Sequence, residues 1–425
     1  HRALRVTLLV LLIATLFTTA QVRAQCDDWR TGPIQNSQAF NGADATVYAL
    51  TTWDPDGAGP LPARLVAGGN FTRMQDTTVS RVAILDPATG AWESPGDPAA
   101  SPFQAEVRCL TSFDNQLIAG AGSLVSAGDR AYRWDGSAWH SLDRDYCMAT
   151  FYNMTPLYVR SLASYHNTLY LGGNYTVWWN DTSDCHGQYT WGATTWDGAA
   201  HCVLPPNSLP VSSDILAMTQ FGSNLIFAGT FNFGQCSCEP GNYIASWNGT
   251  DFVPMPGTDD QVMSLAIFNG DLIAGGTFNL AGGVAASSIA RWDGTAWHAI
   301  GTGLNGAVTS LRVFQNNLIA GGTFTQAGAL VVNHIARWDG TSWHAMSSGV
   351  NSAVDALTVF NNDLVVGGDF TAAGSVTANR IARWDGVQWS SFGGGTVSAV
   401  NAITQFGFGA PRLIAAGAFQ QSSNI

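Results

Sequence analysis

A ten-residue segment that recurs near the C-terminal end of this 425-residue chain constrains the fold more than any other feature. It reads IARWDGTAWH at Ile289–His298, IARWDGTSWH at Ile335–His344 and IARWDGVQWS at Ile381–Ser390. The first tryptophan of each copy stands 46 residues from the next. A fixed period of this size is typical of repeat proteins, in which each copy is one structural unit that packs on its neighbours.

Each copy of the repeat contains four short apolar runs separated by polar turn residues. In one copy they are Val308–Phe314, Leu318–Phe324, His334–Trp338 and Ser342–Met346. Asp339-Gly340, between the last two runs, predicts a tight hairpin with positive φ at both residues. No stretch has sustained helical periodicity, so the chain is predicted to be all-β. Four antiparallel strands in about 40 to 50 residues predict the blade of a β-propeller.

The second strand of the repeat ends in paired small residues and can be followed through the whole chain. It begins at eight positions, Leu65, Leu117, Leu169, Leu225, Leu272, Leu318, Leu364 and Leu413. We therefore expect eight four-stranded antiparallel blades, with seven blades and the start of a second ring as the alternative. The segment 27–30, which resembles a fourth strand, would complete the last blade and close the ring. Residues 25–425 would then be one propeller, clipped after Ile425 before the last blade is complete.

Residues 1–24 have the pattern of a secretory signal peptide. Arg2 and Arg5 precede the apolar run Val6–Phe17, and small residues three apart precede a predicted cleavage point after Ala24. The apolar run is too short to cross a membrane. We therefore predict a secreted, extracellular or cell-surface protein and expect no membrane insertion.

The composition excludes several functions. All 18 basic residues are Arg and none is Lys, which excludes Schiff-base chemistry and a phosphate-binding loop lysine. Removal of residues 1–24 takes away three arginines and no acid, so the formal net charge moves from -12 to -15. Because phosphate contacts by basic residues supply most of the affinity for nucleic acids, we expect no nucleic-acid partner.

The unit resembles a kelch-like or galactose-oxidase-like propeller repeat, most clearly in VAILDPATGAWE at Val82–Glu93. Later units, in which GGTF is followed by NHIARWDGTSW, resemble secreted bacterial repeat proteins of the GGxFT and NRIARL type and fungal cortical cell-polarity marker proteins. The resemblance covers essentially all of the mature chain. It implies a propeller with an interaction role at a surface or outside the cell. His201 and Phe252 depart from the pattern, since they stand where the second tryptophan of a unit is expected.

The recurring polar and aromatic residues are predicted to be structural. The tryptophans occupy the same two positions in several units, and core packing alone explains them; they are Trp134, Trp139, Trp292, Trp297, Trp338, Trp343, Trp384 and Trp389. The histidines of the repeat, His140, His298 and His344, lie on different blades and cannot converge on one metal. We therefore expect no metal site and no cofactor. The repeated arginines, such as Arg291, are predicted to pair with neighbouring acids or to stack on tryptophan.

One insertion, in the third unit, breaks the repeat with unusual chemistry. Aromatic rings on a long loop supply stacking area for a glycan or a peptide, and nearby acids accept hydrogen bonds. We interpret the insertion as a candidate ligand-binding site, with a flap pinned on the adjacent blade by a disulfide as the alternative. The candidate ligand-binding residues are Tyr175, Trp178, Trp179, Asp181, Asp184, Tyr189 and Trp191.

Cysteines concentrate in the same half of the chain, and a secreted chain favours disulfides. The disulfide candidates are Cys147, Cys185, Cys202, Cys236 and Cys238. Cys236 and Cys238 are too close in sequence to pair with each other, so we expect them to pair with the other candidates. Cys109, in a predicted inner strand, is expected to be a buried free thiol. A zinc site formed by Cys236, Cys238, Cys185 and His186 is the alternative.

Two functions are compatible with these features. The first is a non-enzymatic module that binds a surface protein or a glycan. The second is a carbohydrate-active or oxidase-type enzyme with its site at the mouth of the central channel, because propeller enzymes gather catalytic groups there from different blades. Clustered carboxylates at the channel mouth, or His together with Tyr, would favour the enzyme.

Overall fold

The computed structural model describes most of the chain between residues 43 and 417. The described ranges are 43–57, 59–86, 88–123, 130–142, 157–180, 187–198, 201–203, 214–231, 242–253, 255–392, 395–396, 398–406 and 412–417. For 123, 157, 175–180, 187–192, 201–203, 405–406 and 412 it describes the backbone. The predicted signal peptide and the predicted closing strand at 27–30 lie outside the described residues.

The described residues form eight consecutive units, each of which begins with a long strand and a hairpin. Units 1 to 3 contain β1 (Val47–Trp53), β2 (Arg64–Gly69), β3 (Arg73–Met74), β4 (Thr77–Thr78), β5 (Val82–Leu85) and β6 (Trp92–Glu93); β7 (Val107–Phe113), β8 (Gln116–Ser123), β9 (Ala131–Trp134) and β10 (Trp139–Ser141); and β11 (Leu157–Tyr165), β12 (Thr168–Asn180), β13 (Gly187–Trp196) and β14 (His201–Val203). A 3-10 helix, Pro98–Ala100, precedes β7.

Units 4 to 8 continue the same order. They contain β15 (Ile215–Phe221), β16 (Asn224–Gly229), β17 (Ile244–Trp247) and β18 (Phe252–Val253); β19 (Val262–Phe268), β20 (Asp271–Gly276), β21 (Leu280–Ala281), β22 (Val284–Ala285), β23 (Ile289–Trp292) and β24 (Trp297–Ala299); β25 (Val308–Phe314), β26 (Asn317–Gly322), β27 (Gln326–Ala327), β28 (Leu330–Val331), β29 (Ile335–Trp338) and β30 (Trp343–Ala345); β31 (Val354–Phe360), β32 (Asp363–Gly368), β33 (Ala372–Ala373), β34 (Val376–Thr377), β35 (Ile381–Trp384) and β36 (Trp389–Ser391); and β37 (Val400–Phe406) and β38 (Arg412–Gly417).

The number of separate four-stranded sheets differs from the predicted seven or eight blades. The described residues form five such sheets, in units 1, 4, 5, 6 and 7. Units 2 and 3 share one eight-stranded sheet, because Leu157 and Tyr158 of β11 pair with Ser123 and Gly122 of β8. In unit 8 the described residues supply only the pair β37–β38. The predicted count is therefore wrong for a physical reason, a strand pairing between two units that the repeat pattern does not encode.

The first strands of the units form a ring. Each contacts the first strand of the next unit, from β1 through to β37, and β37 contacts β1 in turn. Every hydrophobic cluster of the described core draws its side chains from two neighbouring units, and one of them joins Val47 and Ala67 of unit 1 to Ala416 of unit 8. Small, mostly four-stranded antiparallel sheets packed face to face around a ring of first strands define a β-propeller.

The outer strands are tied to the preceding unit by the second tryptophan of the repeat. Its indole Nε1 donates to a carbonyl there: Trp297 to Pro256 at 2.6 Å, Trp343 to Ile300 at 3.1 Å and Trp389 to Met346 at 2.9 Å. Each ring also packs on the first tryptophan of its own unit, with centroids 5.1 to 5.4 Å apart. The pairs therefore fill space between neighbouring sheets and satisfy a backbone acceptor.

The Asp-Gly hairpins differ from the predicted two-residue turn. Trp292 pairs directly with Trp297, so the loop between them has four residues, and only Gly294 in it has a positive φ, of 100°. Asp293 Oδ1 accepts from the amides of Thr295 and Ala296 at 2.8 and 2.9 Å. The aspartate therefore stabilises the turn through its side chain and needs no left-handed backbone.

Replacement of Trp297 should separate packing from hydrogen bonding between units. Trp297→Phe keeps an aromatic ring but removes the bond to Pro256, so we expect a loss of about 1 kcal/mol in the free energy of unfolding. Trp297→Ala also removes a buried ring and should cost about 3 to 5 kcal/mol. Urea unfolding measures both values. Val387→Ala, at a residue that is 83% exposed, is the control, and equal losses for Phe and Ala at position 297 would contradict this account.

Candidate functional site

All eight first strands have a β-bulge directly after their first buried Val or Ile. The register with the second strand shifts by one residue there in every unit. The residues at the bulges are Tyr48, Arg108, Arg160, Leu216, Met263, Thr309, Asp355 and Asn401. Because first strands start where second strands end, these residues surround one end of the ring, which we call the channel mouth. Bulges often re-aim side chains next to functional sites.

The second glycine of each GG pair makes room for the bulge. A Cβ added at Gly276 or Gly322 would lie 2.0 Å from the carbonyl oxygen of Gln261 or Ala307, the residue before the bulged pair. The first glycine serves the neighbouring unit instead, since a Cβ at Gly275 would lie 2.5 Å from the Val308 side chain. The two glycines therefore make room for different partners, a side chain of the next unit and a backbone carbonyl of their own unit.

The chemistry of the channel mouth is concentrated in units 1 to 4. The residues just before the first Val or Ile are Glu106, Tyr158 and Asp214 in units 2, 3 and 4, and the bulge residues of units 1, 2 and 3 are Tyr48, Arg108 and Arg160. These six residues, the mouth cluster, come from four successive first strands or the residues that lead into them. In units 5 to 8 the same positions are mostly small or uncharged.

Arg108 is at the centre of the mouth cluster. Its guanidinium carbon lies 4.3 Å from the ring centroid of Tyr158 and 5.1 Å from that of Tyr48, and both distances are in the range of cation–π contacts. Its Nη2 is 2.7 Å from Glu106 Oε1. Burial opposes the charge of Arg108, but Glu106 outweighs it and raises the pKa of the guanidinium. Arg108 therefore holds two aromatic rings and one carboxylate in fixed positions.

Asp214 has the second carboxylate of the mouth cluster. Its Oδ2 lies 2.9 Å from Arg160 Nε. Its Oδ1 is buried and accepts no hydrogen bond from the described residues. Burial raises the pKa of Asp214, although Arg160 and then Arg108 act against the rise.

Glu106 has the opposite protonation preference. Burial works to raise its pKa, but the Glu106 backbone amide, Arg108 and a hydrogen bond from Tyr158 lower it below the usual value. Burial and the charge of Glu106 in turn raise the pKa of the Tyr158 phenol. The two carboxylates of the mouth cluster therefore differ, with Glu106 held ionised and Asp214 biased toward its neutral form.

The pairing that joins units 2 and 3 also fixes Tyr158. Tyr158 pairs with Gly122 across β11 and β8, and a Cβ added at Gly122 would lie 2.2 Å from the Tyr158 ring. The ring therefore rests on the glycine backbone and turns toward Arg108. The strand pairing that joins units 2 and 3 into one sheet thus lies at the mouth cluster.

Five of the candidate ligand-binding residues of the third unit lie on the backbone of β12 and β13, at the same end of the ring. Beyond the bulge, β12 and β13 continue as a ladder in which Trp178 is opposite Tyr189 and Trp191 is opposite Thr176. Trp179 follows in β12, and Tyr175 lies where the register shifts. Asp181 and Asp184 lie outside the described residues. The backbone of β12 and β13 thus extends from the mouth cluster, next to Tyr158 and Arg160. The ligand role of the candidate residues on these two strands stays a prediction.

The repeated histidines and arginines form local pairs far from the channel mouth. His140, His298 and His344 each contact the aspartate of their own hairpin, with Nε2 to Oδ2 distances of 2.7, 2.7 and 2.6 Å. Arg291 Nη1 lies 2.7 Å from Asp271, at the start of the second strand. Within the described part of the chain, no group of three or more His, Cys, Asp or Glu could hold a metal ion.

Cys109 is a free thiol, as predicted. Its Sγ lies 3.4 Å from the Val159 carbonyl oxygen, and burial raises its pKa to about 12. Of the disulfide candidates, Cys202 belongs to β14, whose side chains are not described, and Cys147, Cys185, Cys236 and Cys238 lie outside the described residues. The proposed zinc ligand His186 lies outside them too. No described helix is long and apolar enough to cross a membrane.

Sequence reasoning missed the mouth cluster, although its signal was present. Aligning the first strands on their Val or Ile shows E-V-R at 106–108 and Y-V-R at 158–160, where unit 6 has A-V-T at 307–309. Charged and aromatic residues on both sides of a buried β-branched residue, in consecutive copies of a repeat, set these units apart. The contact of Arg108 with residues of three units becomes visible only in the folded ring.

Comparisons with known proteins agree with the fold. No family model and no curated protein matches the chain. A computationally designed protein, Ika8, is 18% identical, with a TM-score of 0.53 over 89% of this chain and 96% of that chain. Sqt1 of Saccharomyces cerevisiae is 12% identical, with a TM-score of 0.49 over 89% and 95%. At 18% identity the likeness to Ika8 shows the fold alone, so the kelch-like, bacterial and fungal resemblances stay predictions.

Replacement of Asp214 should change how stability depends on pH. An aspartate whose pKa is raised by folding binds more protons in the folded state, so its ionisation costs stability as the pH rises above about 4. Asp214→Asn stays neutral. We expect the urea midpoint of the variant to rise relative to wild type between pH 4 and pH 7, with little difference below pH 4.

Asp339→Asn is the control with the opposite sign. Hydrogen bonds from Thr341, Ser342 and His344 lower the pKa of Asp339, so its charge stabilises the fold above about pH 4 and that stability is lost as the pH falls. The difference between wild type and Asp339→Asn should therefore stay constant between pH 4 and pH 7, where wild type loses on Asp214→Asn, and should shrink as the pH falls below about 4. Parallel pH profiles for wild type and Asp214→Asn would contradict the buried, charge-penalised position of Asp214.

Proposed function

We propose that this protein is a secreted or cell-surface β-propeller that binds a glycan at the channel mouth. The observation that carries the proposal is the mouth cluster, in which Arg108 lies between Tyr48 and Tyr158 and contacts Glu106. The signal-peptide pattern at residues 1–24 supports the location. The sequence favoured a protein or a glycan as the partner, and the chemistry of the cluster favours the glycan.

Sugars present vicinal hydroxyls that both donate and accept hydrogen bonds, and C–H faces that stack on aromatic rings. The mouth cluster matches the hydroxyls, because the arginines donate and the carboxylates accept, whereas the stacking surface would come from the aromatic residues of the third-unit hairpin. Its two arginines are each matched by a carboxylate, Glu106 for Arg108 and Asp214 for Arg160. An extra negative charge would meet two carboxylates already in place, so a neutral polyhydroxyl ligand suits the cluster better than an anion.

The hairpin of the third unit supports an extended ligand. Because β12 and β13 continue beyond the channel mouth, a saccharide bound at Arg108 would pass beside the two strand segments that contain Trp178 and Tyr189. Stacking on several rings is how sites of modest depth hold a chain of sugars. We therefore propose an oligosaccharide that contacts both the mouth cluster and the hairpin.

Two modes of action are compatible with glycan binding, a non-enzymatic module and a carbohydrate-active enzyme. Binding at the channel mouth is common to both. The mouth cluster contains two carboxylates, Glu106 and Asp214. Because glycosidic bonds are cleaved by paired carboxylic acids, this pair favours a carbohydrate-active enzyme over the oxidase-type enzyme that the sequence also allowed.

A glycan array should test binding through the mouth cluster. Arg108→Lys keeps the charge but loses the planar guanidinium that stacks between two rings, so we expect affinity for the bound glycan to fall at least tenfold, about 1.4 kcal/mol. Arg291→Lys is the matched control. Arg291 pairs with the Asp271 carboxylate at 2.7 Å, as Arg108 pairs with the Glu106 carboxylate, but it lies on an outer strand. Equal binding by folded Arg108→Lys and wild type would contradict the proposed site.

The hairpin is tested separately by the double variant Trp178→Ala, Trp179→Ala. We expect it to retain binding of short saccharides through the mouth cluster and to lose the gain in affinity that longer ones show. Calorimetric titration with saccharides of increasing length, chosen from the array, measures this. Unchanged affinity for every length in a correctly folded double variant would contradict the role of the hairpin.

A further inference from the structure

Two carboxylates flank one tyrosine at equivalent positions of three successive units. Glu106, Tyr158 and Asp214 each stand directly before the buried Val or Ile of their first strand. The first strands of units 2, 3 and 4 contact one another in this order. Arg108 acts electrostatically on Glu106 and on Asp214, so both carboxylates lie within range of one guanidinium.

The two carboxyl groups have different surroundings. Glu106 is held by Arg108 at 2.7 Å and by Tyr158, both of which favour the carboxylate. Asp214 is mostly buried, with its side chain 15% exposed, and Arg160 Nε lies 2.9 Å from its Oδ2 and favours the carboxylate. Its Oδ1 receives no hydrogen bond from the described residues, and burial outweighs the two arginines and raises its pKa. A buried carboxyl oxygen without a donor favours the protonated acid. Titratable pairs whose environments differ in this way identify an acid and an ionised partner.

We propose that the channel mouth hydrolyses a glycosidic bond of the bound glycan, with Asp214 as the general acid and Glu106 as the carboxylate that accepts the proton of the attacking water. This proposal rests on the proposed glycan binding and adds a reaction to it. Glycoside hydrolysis uses two carboxyl groups, one on each side of the scissile bond. The mouth cluster provides two, in the units on either side of Tyr158.

The reaction balances with water as the only co-reactant. Asp214 transfers its proton to the glycosidic oxygen as the bond between that oxygen and the anomeric carbon breaks. The oxygen of water forms the new bond to the anomeric carbon, and Glu106 accepts the proton that the water loses. The products are a sugar with a free anomeric hydroxyl and the released alcohol, and solvent returns the proton from Glu106 to Asp214.

Tyr158 and Arg108 are positioning residues in this scheme. Arg108 stacks on the Tyr158 ring at 4.3 Å and holds Glu106 at 2.7 Å. Tyr158 is in turn seated on Gly122, where a Cβ would lie 2.2 Å from its ring. These contacts fix the Glu106 carboxylate, and Arg160 at 2.9 Å holds Asp214, as a mechanism with two positioned carboxyl groups requires.

The experiment uses the full chain and the glycan that it binds most tightly on the array. Reducing ends released from that glycan are measured between pH 4 and pH 8. We expect wild type to release them, and Asp214→Asn and Glu106→Gln each to lower kcat at least about 100-fold, the usual contribution of a general acid or base. Binding of the same glycan should stay within about threefold, because both substitutions keep size and hydrogen-bonding capacity.

A second substrate separates acid catalysis from structural damage. The 2,4-dinitrophenyl glycoside of the same terminal sugar has a leaving group that departs without protonation. Asp214→Asn should therefore keep its rate on this substrate within about tenfold of wild type, whereas Glu106→Gln should not. Asp271→Asn, which removes a carboxylate that pairs with Arg291 at 2.7 Å far from the channel mouth, should change neither rate more than about twofold.

The outcomes distinguish this proposal from glycan binding itself. Absence of any bound glycan would contradict the proposed function and the hydrolysis with it. Tight binding without release of reducing ends by wild type would overturn the hydrolysis alone and leave a non-enzymatic module. Cleavage by Asp214→Asn at the wild-type rate would overturn the assignment of the acid.

Discussion

The contact between a glycine of the second strand and a carbonyl of the first strand is the constraint on which the rest of the ring depends. At Gly322 no side chain would fit, because a Cβ would lie 2.0 Å from the oxygen of Ala307. The bulge recurs in all eight units, and the residue opposite it is a glycine in seven of them and Ala121 in unit 2. Bulging turns one residue of each strand away from the ladder. The ring thus gains eight positions at one end whose side chains are free to vary.

Variation at these positions is possible because other residues hold the units together. The first glycine of the pair admits the Val of the next unit, and the second tryptophan donates to a carbonyl of the preceding one. Neither contact involves the bulge residue. Thr309 in unit 6 and Arg108 in unit 2 therefore occupy the same backbone position, although only Arg108 belongs to a charged cluster. This separation of scaffold from surface is a general property of repeat folds.

The sequence predicted the scaffold better than the site. The period of 46 residues and the run IARWDG placed the outer hairpins correctly, because hydrophobic alternation and turn chemistry are local. The sheet count was wrong because the pairing of Tyr158 with Gly122 joins units 2 and 3 through residues about 36 apart that no repeat pattern marks. Arg108 was overlooked because its partners Tyr48 and Tyr158 come from neighbouring units, and their distances follow only from the closed ring.

The ring forms in other units without the charged residues of the mouth cluster, which is an argument for function. The attraction within an ion pair removed from water seldom exceeds the desolvation penalty, and well-packed apolar residues in its place are often as stable. Unit 5 shows that the ring itself accepts such a residue, since Met263 occupies the bulge there. Units 2 to 4 nevertheless contribute two arginines at the bulges, and two carboxylates and a tyrosine directly before the buried Val or Ile. Asp214 Oδ1 is buried and has no donor among the described residues. Polar groups held in this way at the end of a channel, where the scaffold does not require them, are best explained by a ligand that completes their hydrogen bonds.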